Sequence, residues 1–256
     1  MTDLPTDLAH WALAFMLVLA RFGAAIAVLP GLGESAPPAM LRIGIALAVT
    51  ILLLPILLPL VPPVPEAGLA AAGMVAAEVV TGLWFGWLAR MVALALPTAA
   101  QFIAYLLGLT SVLQPDATLG PQTTALASLT NLAAPVILLA TGLYALPLQA
   151  LAGLYTLIPP GTMLPAADST QAAIAAVTQA LLLAMRLASP FVVAGIVWHV
   201  TIGLIARLVP RLQIYFVALP GQILGGLLLL AGVSSTILAA WEEATRTTFA
   251  TLPGAG

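Results

Sequence analysis

From Ala117 to Ala167 this 256-residue chain carries no charged side chain. Apolar windows of about 20 residues, enough to cross the hydrocarbon core of a bilayer as a helix, recur along the rest of it. Its seven basic residues are all arginine, its nine acids are scattered, and only 6% of positions are charged, against about a quarter in a soluble domain. Such a chain cannot build a wet surface. In lipid, backbone groups are satisfied only in helices and closed barrels. Barrel strands would alternate in polarity over about ten residues, and these runs do not alternate. The fold class is therefore all-α: a polytopic membrane-type helical protein with Pro/Gly-broken helices and hairpins.

Turn residues divide the runs. Trp11 to Leu29 reads as a first helix, retained as a span because no basic segment precedes it, and it stops at Pro30-Gly31. A second runs from Met40 to Leu60, with Pro55 and Pro59 expected to kink or end its last turn. A third spans Gly68 to Arg90 and continues toward Leu96 before Pro97, and a fourth covers Thr98 to Leu113. The uncharged stretch divides near Thr141-Gly142 or Pro147 and ends at Ile158-Pro159-Pro160-Gly161. Residues 171 to 205 exceed one perpendicular span and are either kinked at Pro190 or folded into a hairpin. A final helix, interrupted at Pro220-Gly221, runs from Ile214 to Trp241. The rule that basic residues stay inside places the Arg207/Arg211 turn in the cytoplasm and the acidic N-terminus outside.

Few residues could carry chemistry. Glu78 lies among Ala, Val and Gly far from any polar loop, and an intramembrane carboxylate is a functional candidate by default. It is either a proton relay, a salt-bridge partner or a structural hydrogen-bonded acid. Arg21 and Arg186 also fall inside apolar windows, and either could pair with Glu78 or snorkel to an interface. Gly82 and Gly86 have the small-xxx-small spacing that lets helices approach closely. Cysteine is absent, which removes disulfides and thiol chemistry. His10 and His199 are too few for a metal cage, there is no nucleotide or hydrolase motif, and no basic cluster suits nucleic acid. The reading is of a non-enzyme that needs no cofactor.

The turn signals fall in a telling order. Leu29-Pro30-Gly31 is followed by Pro37-Pro38 and Arg42, then Glu78 with Gly82 and Gly86, then Ile158-Pro159-Pro160-Gly161. Last comes Arg207-Leu208-Val209-Pro210-Arg211-Leu212-Gln213-Ile214-Tyr215-Phe216, with Pro220 beyond. This order resembles the FliR family of flagellar export-gate proteins and their SctT relatives in virulence type III secretion. Gln213 stands where the family has Asn, and Tyr215 where it has Phe.

The resemblance implies one FliR-like domain over 1–256, with a FliP-like part at about 1–165 and a FliQ-like hairpin part at about 170–245. It implies assembly with FliP-like and FliQ-like gate subunits and an FlhB-like protein, in the bacterial inner membrane at the flagellar basal body. The chain would form part of the wall and plug of a channel for unfolded flagellar substrates. The plug candidate is Gly108, Leu109, Thr110, Ser111, Val112, Leu113, Gln114, Pro115 and Asp116, with Ser111 where the family often has an aromatic. Arg207, Pro210, Arg211 and Gln213 form a basic turn that either contacts a partner or marks a hairpin end. A SctT-type virulence component and a secondary solute transporter coupled through Glu78 are the alternatives. A lipid enzyme would need a polar cluster that Gln114 to Asn131 does not supply.

Overall fold

The computed structural model describes residues 4–34, 38–109, 124–208 and 214–255. They form eight helices: α1 (Leu4–Val28), α2 (Ala39–Leu57), α3 (Gly68–Ala93), α4 (Ala95–Leu106), α5 (Ala125–Ala140), α6 (Ala145–Leu157), α7 (Ala166–Leu208) and α8 (Ile214–Ala250). A short 3-10 turn, Leu58–Leu60, follows α2. Among these residues five helical stretches are long and apolar enough to cross a membrane. The bent pair α5 and α6 makes a sixth if it counts as one broken span. The chain is a multi-pass helical membrane protein.

Proline and glycine set most of the breaks, and each has a local cause. Pro97 has no N–H to give the Ala93 carbonyl, and its ring crowds that carbonyl. The ladder accordingly ends at Ala93 and restarts at Ala95, three residues before the fourth helix was expected. Pro59 sits in the switch from α2 to the 3-10 turn. Gly142, with φ of +75°, turns the chain between α5 and α6, which meet at 71°. Pro147 then falls in the first turn of α6, where an N–H is not required.

Three expectations are corrected. The fourth helix does not reach Leu113 but stops at Leu106, because Gly108 takes φ of +72°. The Leu109 and Gly108 N–H groups then donate back to the Ala104 and Tyr105 carbonyls at 3.1 and 3.2 Å, a Schellman stop. Residues 171 to 205 do not form a hairpin: α7 is continuous through Pro190. That proline leaves the Arg186 carbonyl without its N–H donor, and the Ser189 hydroxyl donates to it instead at 2.7 Å. α8 is likewise uninterrupted at Pro220-Gly221 and runs beyond Trp241 to Ala250. A missing N–H is tolerated in apolar helices of this length.

The chain divides into two compact units. The first takes residues within 1–93, 135–177 and 246–256, the second those within 94–134 and 178–245. In the first, Ala14, Leu17, Val18, Phe22, Ala25 and Leu29 recur at helical spacing and bury one stripe of α1. Against it lie Gly82 and Gly86 of α3, buried like Phe85 and Ala89. A Cβ at Gly86 would lie 2.7 Å from the Ala25 carbonyl oxygen, and one at Gly82 would overlap that of Arg21. The two backbones touch, so side chains cannot intervene. In the second unit, Ala99, Ile103 and Ala104 bury one face of α4, and Ala184, Ala188 and Phe191 bury one face of α7. Hydroxyls in these apolar helices bond to their own carbonyls four residues back, as Thr81 does to Ala77 at 2.9 Å and Thr245 to Trp241 at 2.8 Å.

Gly82→Ala and Gly86→Ala should each lower stability by about 1–3 kcal/mol through overpacking. Gly73→Ala, on the same helix with no atom within 4 Å of its added Cβ, should be neutral or stabilising. Thermal unfolding of the detergent-solubilised protein separates them. Equal melting of all three would refute close α1/α3 contact.

Candidate functional site

Two local constructions stand out, one in each unit. In the first unit, Arg21 from α1 and Glu78 from α3 meet with both side chains fully buried. Arg21 Nε donates to Glu78 Oε2 at 2.5 Å and Nη2 donates to Oε1 at 3.0 Å, a side-on bidentate pair. The turn after α6 supplies further partners to both groups. Ile158, at the end of that helix with extended backbone (φ −125°, ψ 94°), accepts from both Nη1 and Nη2 at 3.1 Å. Pro159 and Pro160 have no N–H, so the next donor along the chain is Gly161, which donates to Glu78 Oε1 at 2.6 Å.

The local sequence explains this turn. Thr162 N–H donates to the Pro159 carbonyl at 3.2 Å, and Gly161 has φ of +77°. Proline then glycine at the two central positions is the signature of a type II turn. Below it, the guanidinium carbon of Arg21 lies 3.9 Å from the Tyr155 ring centroid, and Phe22 stacks on the same ring at 6.3 Å. The Tyr155 hydroxyl is buried with no hydrogen-bond partner among the described residues.

Of the two arginines considered for Glu78, the structure selects Arg21, which does not snorkel. Arg186 is exposed on α7. Glu78 is thus occupied by a guanidinium and a backbone N–H, an arrangement that joins three segments. A second arginine works nearby: Arg90 donates to the Val28 carbonyl at 3.2 Å, at the C-terminal end of α1, and to Glu34 at 3.3 Å.

The second construction flanks residues 110–123. Gly108 and Leu109 lie within the described residues, whereas Thr110, Ser111, Val112, Leu113, Gln114, Pro115 and Asp116 lie outside them. On the near side, Gln222 of α8 donates from Nε2 to the Leu106 carbonyl at 2.8 Å, adding a side-chain tie to the Schellman stop. On the far side, Gln101 Oε1 accepts from the Thr124 N–H and hydroxyl at 3.1 and 3.0 Å. The Thr124 Oγ1 in turn accepts from Ala127 N–H at 3.2 Å and caps α5. Both flanks are therefore pinned by glutamines. A cavity of about 220 Å³ lies beside the near flank, lined by Leu107, Phe191, Gly195, Trp198, Gln222 and Gly226.

Arg207 is exposed in the last turn of α7, where a cation suits the helix dipole. Pro210, Arg211 and Gln213 lie outside the described residues. Sequence reasoning missed Gln101, Thr124, Gln222, Tyr155 and the Ile158 carbonyl. The Pro-Pro-Gly turn was visible, and its two consecutive residues without N–H were the available signal for a carbonyl and a next donor that serve a buried charge pair.

The family described as bacterial export proteins, family 1, matches residues 12–248 of this chain. The chain is also similar to the flagellar biosynthetic protein FliR of Caulobacter vibrioides, with 32% identity over 230 residues, 90% of this chain and 92% of that relative.

Removing one partner of a buried pair leaves an uncompensated charge, so Arg21→Met or Glu78→Leu alone should destabilise by about 3–5 kcal/mol. The double variant should recover much of that loss, whereas additive losses in thermal unfolding would refute a mutually dependent pair. Tyr155→Phe should be neutral or stabilising by up to about 1 kcal/mol, since the hydroxyl it removes is unsatisfied.

Proposed function

The chain belongs to the FliR family of bacterial export proteins, and from this premise we propose that it is a subunit of the flagellar type III export gate in the bacterial inner membrane, at the flagellar basal body. It joins FliP-like and FliQ-like subunits, with an FlhB-like protein as a further partner. Together they wall a channel for unfolded flagellar substrates. The observation that carries this reading is the near full-length likeness to a flagellar FliR. The same likeness favours the flagellar system over a virulence one.

Several features of the chain support a gate subunit over a solitary transporter. α2, α7 and α8 leave many large apolar side chains uncovered, among them Leu52, Ile56, Leu182, Val197 and Leu228. Only 6% of the most apolar window within Ala218–Ala250 is buried within the chain. Glu78, the carboxylate that a proton-coupled transporter would use, is taken up by Arg21. In this proposal 1–165 packs as the FliP-like part and 170–245 as the FliQ-like hairpin.

The plug is assigned to Gly108 through Asp116. A plug must hold its place at rest and yield to a passing chain. The glutamine ties at Leu106 and Thr124 restrain the flanks of this segment, which mixes Leu109, Val112 and Leu113 with the small or polar Gly108, Thr110, Ser111 and Gln114, the helix-breaking Pro115 and one carboxylate, Asp116. The basic residues Arg207 and Arg211 mark the cytoplasmic end of the hairpin.

Co-expression with FliP-like and FliQ-like proteins of the same genome should yield a stoichiometric, detergent-resistant complex. Isolation of the chain alone from that co-expression would refute the gate reading. Within an assembled gate, deletion of Thr110 to Leu113 should raise passive sodium leakage across the membrane, and unchanged leakage would remove the plug assignment.

A further inference from the structure

Arg42 is a family-motif residue that neither the buried pair nor the flanks of 110–123 use. It stands in the first turn of α2 and lines an apolar cavity of about 370 Å³ between α1 and α2. Leu19, Gly23 and Ile26 line the α1 side, and Ile43, Ala46 and Leu47 the α2 side. Its Nε is buried and has no hydrogen-bond partner among the described residues. Glu34, the acid just before it in sequence, is held by Arg90. The start of α2 adds positive character, because its N-cap is Pro38, which has no side chain able to cap N–H groups.

The surroundings say what kind of molecule fits. Past Arg42, α2 presents hydrocarbon outward: Ile51, Leu52 and Ile56 are all more than half exposed. A ligand for this place needs an anionic head for the guanidinium and an apolar body for the cavity. Arg42 and Arg90 both gather at the Ile26–Val28 end of α1. Basic residues at one end of a span place that end on the cytoplasmic side, where basic pockets between helices take anionic lipid headgroups. We infer that the α1/α2 cavity is a binding site for an anionic phospholipid, with its phosphate on Arg42 and part of an acyl chain along Gly23 and Ala46.

Gly23 provides a way to close the cavity without removing the charge. No atom lies within 4 Å of a Cβ added there, so a larger side chain projects into the space without strain on its neighbours. The full-length chain is reconstituted in vesicles of mixed phosphatidylglycerol and phosphatidylethanolamine, re-extracted in mild detergent, and its retained lipid counted by native mass spectrometry. Wild type should retain phosphatidylglycerol in preference to phosphatidylethanolamine. Arg42→Gln and Gly23→Leu should each lower that retention about fivefold, while Arg186→Gln, an equal loss of charge on exposed α7, should not. Melting of each variant is followed in parallel, and two chemically different substitutions keep the test decisive if one fails to fold. Equal retention by wild type and both cavity variants would overturn the site, as would no preference for the anionic lipid or an equal drop in Arg186→Gln. Wild type free of lipid would overturn it too, leaving an acidic side chain of a partner protein as the counter-charge for Arg42.

Discussion

A guanidinium and a carboxylate sealed away from water are tolerated only when they pair with good geometry and find further hydrogen-bond partners, and this requirement organises the first unit. Arg21 and Glu78 pair bidentately, and the further partners are one carbonyl and one N–H of the turn at 158–161. Three segments distant in sequence must therefore arrive together. The glycines of α3 serve the same end, since Glu78 can reach Arg21 side-on only if the α1 and α3 backbones are in contact. An alanine at Gly82 would press its Cβ against the Arg21 backbone carbonyl and force the two helices to shift. In an apolar environment, where burying hydrocarbon gives little discrimination between one helix pairing and another, such a polar clasp can specify which faces meet.

Proline and glycine play opposite parts along the chain, and the surroundings decide which. Pro97 falls just after the break between α3 and α4, whereas α7 continues through Pro190, where the Ser189 hydroxyl bonds the abandoned carbonyl. Gly108 and Gly142 turn the chain with positive φ, while Gly82 and Gly86 lie inside a regular helix and work only by being small.

Much of this was legible in the residues. The class of fold, the breaks at Gly142 and at Pro-Pro-Gly, and the close-packing glycines follow from composition, turn chemistry and spacing. The family followed from the order of short motifs. What was not legible depended on rotation and on distant donors. An apolar run with little amphipathic pattern does not say which way Glu78 faces, so Arg21 and Arg186 were equivalent until α1 and α3 were placed together. The helix through Pro190 depended on one neighbouring hydroxyl. The end of α4 was hidden because Leu109, Val112 and Leu113 continue its apolar character, and only the handedness of Gly108 cuts it short. The last helix was expected to stop at Trp241, yet it carries Glu242, Glu243 and Arg246 on to Ala250.

The tie from Gln222 to the Leu106 carbonyl spans 116 positions, whereas that from Gln101 to Thr124 spans 23. During synthesis these two restraints cannot form at the same moment. The ribosome delivers Thr124 soon after Gln101, so the far flank can be pinned while most of the chain is still unmade. The near flank waits until α8 has entered the bilayer. A nascent chain that ends before residue 222 can thus fasten one side of segment 110–123 but lacks the glutamine tie of the other.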